Sequence, residues 1–243
     1  MTAATDLIYS QPRETVDPFR FDEAVTEVFQ DMIERSVPGY GTTLEMISLM
    51  ARKFARPFTR GYDLGSSLGA STFAMRQGMN LNGCSVVAVD NSEPMMARLA
   101  ELVEATEGGV PVQLVCDDIR NVSINNASLV TLNFTLQFIP PQERLSLLTH
   151  IHDGLVDGGA LVLSEKIVFP NSHEQDLQTE LHHAFKGANG YSALEIAQKR
   201  TSLENVLVPD TLEQHQERLR AAGFKHVYLW FQCFSFVSIV AHK

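Results

Sequence analysis

Cysteine is scarce in this sequence: three in 243 residues, Cys84, Cys116 and Cys233. The number is odd and no two have C-x-x-C spacing, which argues against both a disulfide framework and a structural zinc site. Cys84 and Cys116 fall in apolar runs and are expected to be buried reduced thiols. Long hydrophobic runs are also missing. No stretch reaches the ~20 apolar residues that a bilayer span needs. The opening residues MTAATDLIYSQP do not pair a basic segment with an apolar one, so no secretory leader is expected and the default location is the cytoplasm. Positive charge is in deficit, with 19 Lys and Arg against 29 Asp and Glu, a formal net charge of -10. Broad nucleic-acid-gripping faces are basic, so direct contact with nucleic acid is not expected, while a small cation such as a sulfonium remains an acceptable ligand. No metal site is expected either. There is no H-E-x-x-H, and His182 and His183 are neighbours that do not share a helix face.

What remains is a globular α/β pattern. Hydrophobic residues make up 44% of the chain, a normal core fraction, and the length suits one domain with additions. A polar arm precedes a helix over Phe21 to Arg35. Ser36-Val37-Pro38-Gly39-Tyr40-Gly41 breaks it, and the Thr42/Glu45 spacing predicts a capping box opening a second helix that runs to Phe54. Strands are expected at Gly61–Leu64, Ser85–Val89, Val112–Val115, Leu129–Phe134 and Ala160–Ser164. Helices alternate with them over Ala70–Gln77, from a Ser92 cap, and over Pro141–Leu155, the last leading to a turn at Asp157-Gly158-Gly159. Inserted helices follow over about 172–206. A helix over Thr211–Ala222 and two antiparallel strands, Lys225–Phe231 and Phe234–Ala241, close the chain. The expectation is a doubly wound, mostly parallel seven-stranded sheet. Residues 1–56 form an arm and helices packed on an α/β ligand-binding domain, residues 57–243.

The sharpest motif is Tyr62-Asp63-Leu64-Gly65-Ser66-Ser67-Leu68-Gly69, between a strand and a helix. A glycine-rich βα turn lets a ligand approach backbone amides. Asp90 follows about 20 residues later at a strand tip, where a carboxylate can bind both hydroxyls of a ribose. Asp117-Asp118-Ile119 and Asn133 end the next two strands. Four strand ends therefore offer polar groups to one crevice. The turn lacks the G-x-G-x-x-G spacing of dinucleotide binders.

It resembles instead the D-x-G-x-G-x-G turn of class I S-adenosyl-L-methionine-dependent methyltransferases, with Ser67 at the middle glycine. Nearly the whole chain, from about Phe19, is similar to the bacterial carboxy-S-adenosyl-L-methionine synthases. The similarity is carried by Ser36-Val37-Pro38-Gly39-Tyr40, the glycine-rich turn, Val89-Asp90-Asn91-Ser92, Cys116-Asp117-Asp118-Ile119 and Asn133-Phe134-Thr135-Leu136-Gln137-Phe138. The discriminating stretch is Lys199-Arg200-Thr201-Ser202-Leu203-Glu204-Asn205-Val206-Leu207, because it lies in the insertion and not in the common sheet.

That resemblance implies a Rossmann-type fold and an enzyme that takes S-adenosyl-L-methionine and prephenate to carboxy-S-adenosyl-L-methionine and phenylpyruvate. It implies a homodimer whose product feeds a separate tRNA wobble-uridine carboxymethyltransferase, with no metal. By the same resemblance Tyr40 contacts the cofactor, and Gly65, Ser66 and Ser67 line its methionine end. Asp90 and Asn91 hold the ribose region, Asp118 and Ile119 the adenine, and Asn133 sits near the sulfonium. Arg200 is the expected catalytic contact, pairing with the new carboxylate. An arginine can bind a carboxylate bidentately, whereas a cation beside an ordinary methyl donor disfavours the sulfonium. No side chain is assigned as general base, since the hydroxide lost from prephenate can take the methyl proton. Two rivals share the fold: a small-molecule methyltransferase, which needs an acceptor near the methyl group and no Arg200, and a non-catalytic S-adenosyl-L-methionine-binding partner of a tRNA-modifying enzyme.

Overall fold

The computed structural model describes residues 4–243. Two helices come first, α1 (Glu23–Ser36) and α2 (Tyr40–Phe54). The sheet is built from β1 (Arg60–Leu64), β2 (Ser85–Asp90), β3 (Val112–Cys116), β4 (Ala127–Asn133), β5 (Leu155–Lys166), β6 (His226–Cys233) and β7 (Phe236–His242). Between strands run α3 (Ala70–Gly78), α4 (Glu93–Ala105) and α5 (Arg144–Gly154), then α6 (Ser172–Ala188), α7 (Ala193–Leu203) and α8 (Leu212–Ala221). The strand order is β3-β2-β1-β4-β5-β7-β6. Strands β1 to β5 pair in parallel and β7 lies antiparallel between β5 and β6. The order reverses between β1 and β4, which opens the crevice where doubly wound sheets bind ligands.

The sheet is covered on both faces, so its central strands are apolar at nearly every position. Period-two alternation sorts them. Val130, Leu132, Leu161 and Leu163 face Leu148, Ile151 and Leu219 of α5 and α8. Leu129, Ala160 and Val162 face Ile47 and Ala51 of α2, Met75 of α3 and Met79 just after it. Those two helices cross closely at Gly78, where an added Cβ would meet the Ser48 carbonyl oxygen at 2.2 Å.

Several expectations need correction. No capping box forms at Thr42 and Glu45. α2 begins two residues earlier, from Gly39 at φ 75°, a left-handed conformation that leaves Tyr40 as the first helical residue. Residues 141–143 form a separate 3-10 turn, and α5 starts at Arg144. Asp157-Gly158-Gly159 does not precede β5 but lies within it, as a register shift that pairs Leu155 with Ala127 and then Ala160 with Leu129. Gly158, at φ 75°, supplies the bulge conformation. Cys116 is exposed, because it ends the edge strand β3. The first arm packs against the protein. Tyr191 donates to Asp6 at 2.5 Å, and Gln198 donates to the carbonyls of Tyr9 and Gln11.

Candidate active site

The glycine-rich turn leaves β1 under tight constraint. Gly65 has φ 84°, and a Cβ there would meet Thr135 Oγ1 at 2.3 Å. Ser67, where the methyltransferase pattern has glycine, has φ 47°, so the left-handed conformation is kept without the residue that adopts it freely. Its amide donates to Asp90 Oδ2 at 2.9 Å, and the Ser92 amide donates to Asp90 Oδ1 at 2.9 Å. Asp90 thus ties the turn after β1 to the turn after β2, and each oxygen keeps a further lone pair for a ribose hydroxyl. Burial pushes its carboxyl above the usual range while those amides pull it back. Behind the turn, buried Asp63 accepts from Thr72 at 2.6 Å and Thr131 at 2.8 Å, joining β1, α3 and β4. Burial raises it to about 6 against those two hydrogen bonds.

The strand ends open onto one cavity of about 1050 Å³. Sites for small molecules commonly hold about 300–1,000 Å³, so there is room for two ligands together. Gly65, Ser67, Asp90, Asn91, Asp118, Ile119, Asn133 and Arg200 line it. Ser66 is buried with its hydroxyl 3.7 Å from the Met96 sulfur, and Tyr40 is half-buried at the start of α2. Neither is on the lining. Burial, then the carboxylates Asp63 and Glu34, hold the Tyr40 phenol above its usual range. Asp118 is held by Arg120, which also pairs with Glu143, and the Arg120 contact lowers its pKa. Asn133 donates to Ser71 Oγ at 3.0 Å, while its own Oδ1 is buried without a partner. A buried unpaired acceptor on a ligand cavity calls for a donor. The ammonium of an amino-acid ligand fits it, so these residues suit an adenosyl amino acid.

The opposite wall is cationic. Lys166 ends β5, Lys186 lies in the last turn of α6, and Lys199 and Arg200 lie in the second half of α7. Burial, then repulsion from Lys166, pulls Lys186 down to about 8. Burial and Lys186 pull Lys199 down to about 7, and burial and Arg200 pull Lys166 down. His182 is neutral, brought to about 3 by burial, with its Nε2 2.8 Å from the Ser36 carbonyl. His182 and His183 do not join a metal cluster, and no group of three potential ligands occurs among the described residues. Aromatic rings close the far side, with Phe21 set edge-on to Phe19 at 5.1 Å and to Phe138 at 5.4 Å.

Sequence reasoning did not single out Lys166 or Lys186. Ending the fifth strand at Ser164 hid Lys166, although a strand-end position in a doubly wound sheet is itself a signal. Lys186 carries no local signal, since only the docking of α6 brings it to the cavity. The buried Arg144 was missed as well. It donates to the carbonyls of Ile139 at 2.8 Å, Val208 at 2.8 Å and Gln137 at 3.3 Å, and pairs with Asp210. It pins the segment that carries one cavity wall.

Fold and site together define a class I S-adenosyl-L-methionine-binding protein of the methyltransferase superfamily. A methyltransferase-domain model matches residues 62–159. Among solved structures, human N-acetylserotonin methyltransferase in complex with S-adenosyl-L-methionine superposes with a TM-score of 0.60 at 16% identity, covering 91% of this chain and 55% of that one. An O-methyltransferase family protein from Burkholderia thailandensis gives 0.63 at 16% identity, covering 92% and 60%. At such identity these likenesses show the fold alone. Full-length relatives are more specific. The carboxy-S-adenosyl-L-methionine synthase of Geobacter metallireducens is 55% identical, with 100% of both chains covered. That of Psychromonas ingrahamii is 54% identical over 98% of this chain and 99% of the relative, and that of Actinobacillus pleuropneumoniae serotype 7 is 50% identical over the same shares. The chain belongs to the carboxy-S-adenosyl-L-methionine synthase family.

Proposed function

We propose that this enzyme converts S-adenosyl-L-methionine and prephenate to carboxy-S-adenosyl-L-methionine and phenylpyruvate. The observation that carries the reading beyond the fold is the placement of Arg200. It stands exposed at the cavity mouth beside Lys166 and makes no ion pair with a described carboxylate. A cation there is unfavourable for a bare methyl sulfonium and favourable for one that gains a carboxylate. The bonds balance without a redox partner: the ring carboxyl of prephenate leaves as carbon dioxide, the ring aromatises by expelling hydroxide, the hydroxide leaves as water with a sulfonium-methyl proton, and the methyl carbon bonds to the carbon dioxide.

The chain's own groups bind, orient and enclose. Gly65 and Ser67 line the methionine end, with Tyr40 and Ser66 set back from the cavity wall, and Asn133 sits near the sulfonium with its Oδ1 open to the ammonium of the same ligand. Asp90 and Asn91 take the ribose, Asp118 and Ile119 the adenine. Arg200 is the catalytic residue for the incoming carboxylate. Phe19, Phe21 and Phe138 exclude bulk water, which would otherwise dilute the released carbon dioxide. The segment from Phe19 to Val37 lines this cavity, while α2 packs on the sheet of the α/β unit. The enzyme works as a cytoplasmic homodimer and supplies a tRNA carboxymethyltransferase. Exposed Leu177, Leu181 and Leu194 on the inserted helices are an apolar surface suited to self-association. Incubation with S-adenosyl-L-methionine and prephenate labelled with carbon-13 at the ring carboxyl tests the reading. Mass spectrometry should find the label in the carboxymethyl group, and an unlabelled adenosyl product would refute it.

A further inference from the structure

Prephenate carries two carboxylates with different fates. One migrates, and the other stays on the side chain and leaves with phenylpyruvate. A single arginine at the mouth does not serve both, because the migrating group must end bonded to the sulfonium methyl carbon. The cavity holds a second cationic position. Lys166 lies at the end of β5, two residues beyond Ser164, which pairs with Asn133. Lys186 reaches the same space from the last turn of α6 and is 7% exposed. Both line the cavity.

The partners of the neighbouring cations set these two apart. Arg120 is taken by Asp118 and Glu143. Lys199 lies 3.9 Å from Asp6 and 3.4 Å from Ser36 Oγ, so it serves the arm and α1. Neither Lys166 nor Lys186 makes an ion pair with a described carboxylate, and neither ammonium donates a hydrogen bond within the described chain. The Lys186 ammonium lies 5.8 Å from the centre of the Tyr191 ring. Two buried or half-buried ammonium groups that repel each other and lack an anion are a site waiting for one. Charge across the cavity is also sorted. The acids Asp90 and Asp118 stand at the ends of β2 and β3, where the nucleoside goes, and the free lysines stand on β5 and α6.

We propose that Lys166 and Lys186 together hold the side-chain carboxylate of prephenate, the one retained in phenylpyruvate, leaving Arg200 to the carboxylate that migrates. This rests on the synthase reading. The two lysines fix the ring so that its labile carboxyl faces the sulfonium, and they remain bound to the departing product.

The test is calorimetric titration of phenylpyruvate into protein saturated with S-adenosylhomocysteine, for the wild type and for Lys166→Met, Lys186→Met, Lys186→Arg and Arg200→Met. Loss of a charge-assisted contact should weaken phenylpyruvate binding about tenfold or more in both methionine variants. Lys186→Arg should restore most of it, and Arg200→Met should leave it unchanged. S-adenosylhomocysteine affinity, measured alone, should be constant throughout, which also shows that each variant is folded. Unchanged phenylpyruvate binding in the lysine variants overturns the assignment. So does a loss confined to S-adenosylhomocysteine, which would give these lysines to the methionine carboxylate. If the wild type binds phenylpyruvate and prephenate but yields no carboxylated product, the synthase reading fails while the binding shifts still decide the lysines.

Discussion

Glu165 offers a prediction whose sign and size both follow from the structure. Its side chain is almost wholly buried at the end of β5, where its two oxygens accept the amides of Leu136 at 2.8 Å and Gln137 at 3.0 Å. It thereby caps the short 3-10 turn over Leu136–Phe138 that forms part of the cavity floor. Burial pushes its carboxyl up to about 8, with the two amides and Arg144 pulling back. In the unfolded chain a glutamate titrates near ~4.3. Below that pH both states are protonated and the stabilisation is fully present. Between ~4.3 and 8 the unfolded chain releases the proton and the folded chain keeps it, so stability falls by up to ~1.4 kcal/mol per pH unit. The whole loss is on the order of 5 kcal/mol once the pH has risen through the folded value. Glu165→Gln removes this titration and turns an amide donor toward one of the two backbone amides, at a cost of about 1–3 kcal/mol. Below about pH 4 the wild type should be the more stable protein by that amount, and the curves should cross between about pH 5 and 6.5. Urea unfolding followed by the single tryptophan, Trp230, at fixed protein concentration across the pH series measures the difference. A difference that stays constant with pH would refute the reasoning, because it would mean that the two amides outweigh burial and keep Glu165 ionised throughout.

Two further substitutions probe the frame around the cavity. Arg144→Met strips Asp210 of one of its two guanidinium partners and removes the guanidinium donor from the carbonyls of Ile139 and Val208, while the Gln137 carbonyl keeps the Val208 amide; unfolding free energy should drop by about 3–5 kcal/mol in the same urea assay. Gly65→Ala forces an alanine to φ 84° against Thr135, so a stability loss of about 2–5 kcal/mol with at least about tenfold weaker S-adenosylhomocysteine binding is expected by unfolding and calorimetry.

The sheet was legible because its strands obey one physical rule: residues buried on both faces read as unbroken apolar runs, as Val86–Val89 and Ala160–Leu163 do. Gly65, Asp90 and Asn133 were legible because strand ends in a doubly wound sheet converge on one crevice, and that convergence depends on topology alone. Helix starts were harder. The Thr42/Glu45 spacing satisfies the capping rule, yet Gly39 in the left-handed region starts the helix earlier and leaves Thr42 inside it. A local pattern lost to a backbone conformation that only glycine adopts cheaply. Cys116 failed for a different reason, since its run is apolar but its strand is at the sheet edge, a property of strand order and not of the run. Lys186 and the docked arm are tertiary facts with no local trace. Asp6 and Tyr191 lie 185 positions apart, and their hydrogen bond says nothing in either segment alone.

Net charge and site charge point in opposite directions here, and the contrast explains how one fold hosts a different chemistry. The chain as a whole is acidic, at -10, and the half of the cavity built by β2 and β3 shares that sign. This half belongs to the common sheet, and a nucleoside with hydroxyls to donate suits it. The cationic half comes from β5 beyond the level of Asn133 and from α6 and α7, the inserted helices. An ordinary methyltransferase can keep the first half unchanged and has no use for the second, since unpaired cations near a sulfonium raise the energy of the bound donor. The cations become favourable when the second substrate brings carboxylates to cancel them. The inserted helices and the end of β5 are therefore where this family's specificity should reside, and the prediction for phenylpyruvate tests it at one residue of each, Lys186 and Lys166.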